Sequence, residues 1–404
     1  MATVVVLGGC GAVGSVAATT LAGRDECTRV VVADANLDGA RALAASLGPK
    51  AAAAGFDAAD AASVARVIAG ADVVLNCVGP FYATVKTILG AVLDAKRPYV
   101  DINDDVDVTL EVLEWDARAR AAGVTALIGM GASPGATNLL AKFIAETQLD
   151  RTDAIDVFHT HGGEPVEGAG VIGHRFHCMS IPIPMFLDGE LRHVSYFGDD
   201  GIALRQTFDF PAVGPTPIYP YPHPEQVTLP RFLPVRRVTN KGSVLPIEYY
   251  HLTAELCRLG LASRTPLDVG GTRVVPAEFA TAFLVRERER LLRETGFGPQ
   301  RGCMSVVVEG VKDGRPRTVQ VHLFSREGGL GEGTGVPAAL GVLLMLRGAV
   351  RGPGVLPPEG CVDTGRFLAL ATEVMRATPS KGGGGTTIRL DTIEADGTRS
   401  SVTL

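Results

Sequence analysis

Three glycines near the N-terminus are spaced so that their turn can hold a phosphate group. Gly9, Gly11 and Gly14 form the pattern G-x-G-x-x-G, directly after an apolar run at residues 4–7 that is typical of a buried strand. The first glycine permits a tight bend, the second lets a ligand approach the backbone, and the third lets a helix pack on the strand. A helix is expected over residues 13–22, so its N-terminal amides would face the phosphates. The pattern predicts a dinucleotide-binding site.

An acidic residue follows at the spacing expected for a ribose contact. A second strand is predicted at residues 29–33, and Asp34 stands twenty residues after Gly14. A carboxylate at this place binds the ribose 2′-hydroxyl of NAD, whereas the 2′-phosphate of NADP calls for an arginine. The first arginine after Asp34 is Arg41, which we expect on the surface of the next helix. We therefore predict NAD as the cofactor, with NADP as the alternative.

Further cofactor contacts are expected where later strands of the same domain end. Asp57 follows a weak third strand and is either an adenine contact or an ordinary loop or helix-capping aspartate. Residues 76–80 end the fourth strand and are expected to offer backbone groups to the ribose side of the cofactor. The predicted cofactor-binding residues are Gly9, Cys10, Gly11, Ala12, Val13, Gly14, Asp34, Asp57, Cys77, Val78, Gly79 and Pro80.

Three other side chains are candidates for proton transfer or substrate binding. Asp101 ends the predicted fifth strand, where it is either a functional acid or a turn residue. His161 follows a predicted strand and precedes two glycines, as in a cleft loop. Lys241 is expected in a polar turn, where it either binds a substrate carboxylate or is merely solvated.

Several basic residues compete for the same roles. Arg175, Arg231 and Arg237 are rival clamps for a carboxylate, because a guanidinium binds it through two hydrogen bonds. His174 and His177 would share one face of a helix, but the sequence offers no clear third ligand. No metal site is predicted.

Strands and helices alternate regularly over the first third of the chain. This alternation predicts an α/β fold with a doubly wound parallel sheet of the Rossmann type. Ligands bind such sheets at the carboxyl ends of the strands, where Gly9, Asp34, Asp57 and Asp101 all stand. One long helix is expected over residues 106–122.

The pattern changes after residue 135. Strands, aromatic residues and prolines then predict an inserted α+β domain, including a hairpin over residues 305–324 that turns at residues 312–314. Two late apolar helices are expected to return to the first domain, with a loop at residues 353–358 between them. We predict a discontinuous NAD(P)-binding Rossmann domain, an inserted substrate and dimerisation domain, and a C-terminal hairpin extension; their bounds are residues 1–135 with 328–380, residues 136–327, and residues 381–404.

Composition and charge exclude several classes of protein. The chain has 404 residues, of which 46% are apolar and 20% charged, as in an ordinary globular protein. Its net charge of −6 argues against a nucleic-acid partner. Seven scattered cysteines indicate free thiols in a reducing compartment. Apart from a glycine-interrupted N-terminus, no stretch approaches the length of a membrane span. We therefore expect a cytoplasmic protein without a membrane partner.

Six short motifs stand in the order found in one known family. The chain resembles the saccharopine-dehydrogenase-like family, and within it most of all the lysine 6-dehydrogenases and saccharopine reductases. The resemblance covers residues 1–375 in islands and is loose over residues 150–325. The motifs that carry it are residues 9–14, Asn76–Phe81, Tyr99–Asp101, Pro134–Asn138, Thr334–Ala339 and Gly354–Glu359.

The resemblance implies an enzyme that transfers hydride at a carbon bearing nitrogen. It implies NAD(P), an amino acid or opine-type secondary amine as the small-molecule substrate, and a homodimer; we expect residues 300–325 to supply an edge for its contact. Oxidation of an amine requires its neutral form, so a base of matched pKa is expected near the reacting atom. Two alternatives remain: reduction of a C=C or C=O bond in a biosynthetic intermediate, and a non-catalytic dinucleotide-binding sensor or partner protein.

Overall fold

The protein forms two compact units, each with its own sheet. The computed structural model describes residues 2–164, 167–325, 330–377 and 387–403. The first unit comprises the described parts of Met1–Thr147, Val227–Leu233 and Leu330–Lys381. The second comprises the described parts of Gln148–Gln226, Pro234–Gly329 and Gly382–Leu404.

The strands are numbered in chain order. They are β1 (Ala2–Leu7), β2 (Cys27–Asp34), β3 (Ala51–Gly55), β4 (Val73–Asn76), β5 (Tyr99–Asp101), β6 (Thr125–Leu127), β7 (Arg151–Gly162), β8 (Ile183–Leu187), β9 (Glu190–Val194), β10 (Gln206–Phe210), β11 (Gly214–Pro220), β12 (Arg237–Leu245), β13 (Leu267–Val269), β14 (Thr272–Val274), β15 (Arg301–Lys312), β16 (Arg315–Ser325), β17 (Gly354–Leu356), β18 (Thr387–Glu394) and β19 (Arg399–Thr403).

The helices are numbered in the same way. They are α1 (Ala12–Ala22), α2 (Leu37–Leu47), α3 (Ala61–Ile68), α4 (Phe81–Asp94), α5 (Val106–Leu113), α6 (Asp116–Ala122), α7 (Ala136–Thr147), α8 (Ala169–Ser180), α9 (Asp199–Ala203), α10 (Glu225–Thr228), α11 (Ile247–Arg258), α12 (Pro276–Glu294), α13 (Leu330–Leu346), α14 (Pro358–Cys361) and α15 (Thr364–Ala377), with a 3-10 turn at Leu229–Arg231. Among them, over the described residues, none combines the length and the apolar character needed to cross a membrane.

The first unit is built on a parallel sheet, as predicted. Its strand order is β17-β6-β5-β4-β1-β2-β3, and every neighbouring pair is parallel. The order reverses direction beside β1, which is the point where doubly wound sheets bind their ligands. β1 and β4 are buried on both faces, which explains their continuous apolar sequences. The predicted Rossmann fold class is confirmed.

The glycine-rich segment before the late apolar helix is helical and packs on α1. The sequence pattern predicts that this helix begins at Val336, whereas α13 begins at Leu330. A Cβ on Gly331 would lie 2.6 Å from the carbonyl oxygen of Ala12, and one on Gly335 2.7 Å from that of Val13. These glycines allow two helix backbones to approach closely, so their low helix propensity is outweighed by packing.

Two local predictions in this unit were wrong. The expected loop at residues 353–358 contains β17, which pairs in parallel with β6 and forms the seventh strand of the sheet. The expected single helix over residues 106–122 is divided into α5 and α6, because the chain turns at Glu114 and Trp115. Neither feature has a strong signal in the local sequence. β17 in particular has only three residues, and a proline stands on each side of it.

The second unit contains a mixed sheet packed against helices. The path is β10-β11-β12-β7-β15-β16-β18-β19, with β8 paired to β12 and β9 paired to β8. β7 and β12 are parallel, and the other pairs are antiparallel. The hairpin of β15 and β16 turns as predicted, with positive φ angles at Asp313 (51°) and Gly314 (73°).

The C-terminal hairpin changes which strand lies at the edge of this sheet. We expected residues 300–325 to supply an edge, but β16 is flanked by β15 and β18. That expectation was wrong, because the last strands of the chain add β18 and β19 beyond β16. The edge on this side is β19, whose residues are all exposed.

Candidate functional site

The predicted glycine turn is packed so tightly that three glycines have no room for a side chain. Gly8 has a φ of 72°, and a Cβ there would lie 2.9 Å from the carbonyl oxygen of Cys77. A Cβ on Gly9 would lie 2.8 Å from Cγ1 of Val32, and one on Gly14 would overlap the carbonyl oxygen of Gly8. These glycines hold the start of α1 against the end of β1.

Gly11 differs from its neighbours because the fold could admit a side chain there after a small shift. Its φ of −70° and ψ of 170° are open to any residue. Among the described residues, a Cβ on Gly11 would meet only the carbonyl oxygen of Gly8, at 3.3 Å. Close approach of a pyrophosphate needs this kind of open space at the second glycine, so a dinucleotide fits the turn.

The start of α1 is suited to an anion. No side chain in the described part of the chain caps the N-terminus of α1, where Gly11 is the N-cap residue, and the first turn of α1 carries no acidic residue. The amides of Ala12, Val13 and Gly14 therefore keep the orphan donors of a helix N-terminus, where the helix dipole favours negative charge. Together with the open face of Gly11, they could hold the phosphates of a dinucleotide.

Asp34 lies at the end of β2, beside the glycine turn. Its Oδ2 accepts a hydrogen bond from the amide of Cys10 at 3.2 Å, and its Oδ1 one from the amide of Asn36 at 3.0 Å. Burial and the neighbouring Asp34 carboxylate raise the pKa of the Cys10 thiol to about 11. Arg41 pairs with Asp38 on the exposed face of α2. The carboxylate is thus oriented by the turn that would receive the phosphates.

Some of the other residues predicted to contact the cofactor already form hydrogen bonds within the protein. Oδ1 of Asp57 accepts from the amide of Ala59 at 2.9 Å within a loop, whereas the N-terminus of α3 is capped by Asp60. The amide of Val78 donates to Oδ1 of Asn76 at 3.0 Å, and the Val78 carbonyl accepts from the Thr84 hydroxyl at 2.8 Å. In this arrangement Val78 has its amide and carbonyl engaged within the chain.

Asp101 is fully buried at the carboxyl end of β5. Its Oδ1 accepts from the amides of Gly129 at 2.7 Å and Asn103 at 3.1 Å. Within the described residues, Oδ2 accepts no hydrogen bond of good geometry. Burial raises the pKa of Asp101 to about 6, although the two amides and the Tyr99 hydroxyl oppose the rise. A carboxylate with this pKa can change protonation near neutral pH, as a general base must.

His161 and Lys241 belong to the second unit and lie on opposite faces of its sheet. His161 pairs with Val244 and Lys241 with Phe158 across β7 and β12. Side chains alternate between faces along a strand, and residues 158 and 161 are an odd number apart. The structure therefore does not bring these two candidates together.

His161 is partly exposed and bound to an acid. Its Nδ1 lies 2.6 Å from Oε1 of Glu164. Burial opposes ionisation of Glu164, but the hydrogen bond and charge of His161 hold the pKa of this acid at about 2. The imidazole is thus oriented by a carboxylate, an arrangement that suits proton transfer.

Lys241 lies in the middle of β12, and the predicted polar turn was wrong. The following glycine has a packing role: a Cβ on Gly242 would overlap the imidazole of His159, which lies across the strand. Burial lowers the pKa of that imidazole to about 3, so His159 is neutral. Burial also lowers the pKa of the Lys241 ammonium.

The three rival arginines differ in how fully they are paired. Arg237 donates to Asp156 and Glu309, so its charge is satisfied twice. Nε of Arg231 donates to the carbonyl of Val227 at 3.1 Å. Arg175 is buried in α8 and pairs with Glu167, which lies two residues before the start of that helix. None of the three combines an uncompensated charge with burial.

Two hydroxyl residues beside Lys241 were not predicted. Thr160 and Ser243 face each other across β7 and β12, are each 1% exposed, and have no hydrogen-bond partner within the described residues. The sequence signal for these hydroxyls is a set of polar residues at alternating positions of β7 and β12, which marks one face of these two strands as polar. The set comprises residues 156, 160, 239, 241 and 243. The turn predicted at Lys241 interrupts this alternation, because it places residues 240–242 outside a strand.

Comparisons with known proteins confirm the resemblance predicted from the sequence. Residues 4–127 match the family described as the saccharopine dehydrogenase NADP-binding domain. A carboxyaminopropylagmatine dehydrogenase of Synechocystis sp. is 25% identical over 402 residues, which cover 93% of this chain and 96% of that protein. A carboxynorspermidine synthase of Vibrio cholerae is 27% identical over 345 residues, covering 77% of this chain and 79% of that protein.

A solved structure shares the fold along the whole chain. It is the apo saccharopine dehydrogenase (L-Glu forming) of Saccharomyces cerevisiae, with a TM-score of 0.66, 16% identity and 100% coverage of both chains. At this identity the likeness concerns the fold.

Proposed function

Because the chain is a saccharopine dehydrogenase-like protein, we propose that it is an NAD(P)-dependent oxidoreductase acting on a carbon–nitrogen bond. The observation that carries the proposal is the turn at Gly11, which is open to a ligand and lies within the matched residues 4–127. The two relatives are named for carboxylated amines of the polyamine type. We therefore propose a substrate that carries both a secondary amine and a carboxylate.

The first unit supplies the groups that would hold the cofactor. The amides at the start of α1 would bind the phosphates, and Asp34 would bind the ribose of the adenosine half. When bound, a nicotinamide dinucleotide supplies the hydride acceptor or donor. The protein's own part is to bind, orient and move protons.

Asp101 is the residue that we propose as the base for the substrate ammonium. An ammonium has no lone pair to assist hydride loss, so its proton must first leave. Oδ2 of Asp101 is buried without a partner of good geometry in the described residues, and its pKa of about 6 suits proton exchange at neutral pH. His161, oriented by Glu164, is a second proposed proton-transfer group.

The proposed activity is tested by following NADH absorbance. The purified protein is mixed with NAD and a panel of amino acids and carboxylated secondary amines, and in reverse with NADH, keto acids and amines. We expect turnover with at least one amine pair and none with enones or isolated ketones. Tight NADH binding with no turnover across the panel would contradict catalysis and favour the sensor alternative.

We predict that replacing Asp34 with asparagine weakens NADH binding more than NADPH binding. The amide keeps the side-chain shape but removes the charge that would accept from the ribose hydroxyls, which should cost NADH about tenfold in affinity. Titration by nucleotide fluorescence measures both dissociation constants. Asp38→Asn is the matched control, because Asp38 is an exposed acid four residues later, in the first turn of α2. An unchanged NADH preference in Asp34→Asn would remove the NAD assignment.

We also propose that the protein works as a cytoplasmic homodimer. The seven cysteines are all free, which agrees with a reducing compartment. The exposed edge strand β19 offers unpaired backbone groups to a second copy. Light scattering on the eluting protein is expected to give twice the chain mass, and a monomer at all concentrations would contradict the dimer.

A further inference from the structure

Lys241 is a buried ammonium without a carboxylate partner. It is 6% exposed, and its Nζ donates to the Gln206 amide oxygen at 2.9 Å. Over the described residues, no carboxylate oxygen lies within the 4.0 Å of an ion pair. Buried lysines in folded proteins are almost always paired, because an isolated charge loses its hydration. In the described residues this ammonium therefore has the Gln206 amide oxygen and the Phe158 ring, 5.9 Å from Nζ to its centroid, as contacts, but no carboxylate partner.

The acid nearest along the strand face is not paired with Lys241. Asp156 pairs with Thr239 one step before Lys241 on the same face. Its oxygens accept from the Thr239 hydroxyl at 2.5 Å and from the guanidinium of Arg237 at 2.7 Å. Asp156 is engaged by Arg237 and Thr239, so although its charge favours the ammonium of Lys241, it forms no ion pair with it.

The next step along the same face carries two buried hydroxyls. Thr160 and Ser243 form the pair that follows Phe158 and Lys241, so all four side chains share one face of the sheet. The hydroxyls lack partners among the residues that the structure describes. A long lysine side chain reaches over its neighbour two residues along a strand. Lys241, in the middle of β12, and the two hydroxyls nearer the carboxyl ends of β7 and β12 thus lie on one face of the sheet.

We propose that Lys241, Thr160 and Ser243 form a pocket that binds the carboxylate of the substrate. One carboxylate oxygen would accept from the ammonium, and the two oxygens together would accept from the hydroxyls. A water molecule would satisfy the hydroxyls but would leave the ammonium of Lys241 without a carboxylate partner. The anion accounts for all three donors. This inference rests on the proposed function, since it names the substrate group that the second unit recognises.

The first test uses the stability of the ligand-free protein. Lys241→Met removes a buried charge that has no carboxylate partner among the described residues and keeps an unbranched side chain, so we expect its melting temperature to rise by several degrees. Lys312→Met is the control, because Lys312 is at the surface and pairs with Asp150. A fall in the Lys241→Met melting temperature would show that the charge is compensated within the fold, and would overturn the pocket.

The second test measures anion binding without requiring activity. The full chain is produced with ¹³C-labelled lysine, and the Cε signal of Lys241, assigned from Lys241→Met, is followed during titration with sodium acetate. Sodium chloride at equal ionic strength and uncharged acetamide are the comparisons. We expect a saturable shift with acetate only, and an affinity at least about tenfold lower in Ser243→Ala and Thr160→Val.

The outcomes separate this inference from the proposed function. No acetate response, an equal response to chloride, or an unchanged affinity in the hydroxyl variants would overturn the pocket. Loss of self-association in Lys241→Met without an acetate response would assign the missing anion to a second copy and also overturn it. If acetate binds as expected while no amine is oxidised, the pocket stands and the proposed reaction fails.

Discussion

Replacing Gly11 with alanine is expected to abolish tight NADH binding while leaving the fold intact. The backbone angles of Gly11 suit any residue, and its Cβ would meet only the carbonyl oxygen of Gly8 at 3.3 Å within the described chain. The added methyl would instead occupy the space that a pyrophosphate needs. We expect the affinity for NADH to fall by at least about tenfold, corresponding to roughly 1.4 kcal/mol. Titration by nucleotide fluorescence measures the loss.

Two other glycines provide the comparison. Gly14→Ala places its Cβ on the carbonyl oxygen of Gly8, so we expect the protein itself to lose stability by several kcal/mol or fail to fold. Gly23→Ala, at the other end of α1, meets nothing closer than 3.5 Å and should leave both stability and binding unchanged. If Gly11→Ala binds NADH like the wild type, the turn does not hold the cofactor.

Replacing Asp101 with asparagine is expected to stabilise the protein at alkaline pH. The pKa of the buried acid is raised from 3.8 to about 6, so folding favours its protonated form. Its contribution to the free energy of unfolding is fully present below pH 3.8 and is lost as the pH rises through 6. Asparagine resembles the protonated acid at every pH. We therefore expect Asp101→Asn to exceed the wild type by roughly 3 kcal/mol at pH 8, with no gain near pH 4.

Urea unfolding at pH 4, 6 and 8 measures this difference. Asp25→Asn is the control, because Asp25 is fully exposed and should give the same small effect at each pH. A pH-independent effect in Asp101→Asn would mean that the buried acid does not titrate in this range.

The same variant is expected to lose catalysis. If Asp101 is the base, kcat/KM for amine oxidation in the wild type should rise with pH through about 6. Asparagine cannot accept the proton, so we expect kcat to fall about 10²- to 10⁴-fold and that part of the pH dependence to disappear. Stopped-flow and steady-state NADH absorbance over pH 5–9 provide the profile. A variant that is stabilised yet fully active would leave Asp101 with a structural role only.

The first unit was largely predictable because its signals are local. A β-branched run before Gly9, the spacing to Asp34 and the regular alternation of elements each follow from short-range sequence patterns. The hairpin turn at Asp313 and Gly314 was equally legible, since both positions need positive φ. These features are decided by residues close together in the chain.

The features that escaped prediction depend on contacts between distant residues. Lys241 stands in Asn240-Lys241-Gly242, which is typical of a turn, yet Gly242 serves to admit the ring of His159 from another strand. The edge expected at residues 300–325 is covered by β18, which lies near the end of the chain. The pKa of Asp101 likewise depends on burial, which its neighbours in sequence do not reveal.

The return of the chain to the first sheet has a consequence for synthesis on the ribosome. More than half of the chain separates β6 from β17, and α13, which packs on α1, also comes after most of the second unit. While the nascent chain emerges, one side of β6 and the surface of α1 on which the glycines of α13 pack remain uncovered until these late segments are synthesised. A ribosome that stalls before residue 330 would therefore present an incomplete, aggregation-prone nucleotide-binding unit, and chaperone occupancy should be longest over that interval.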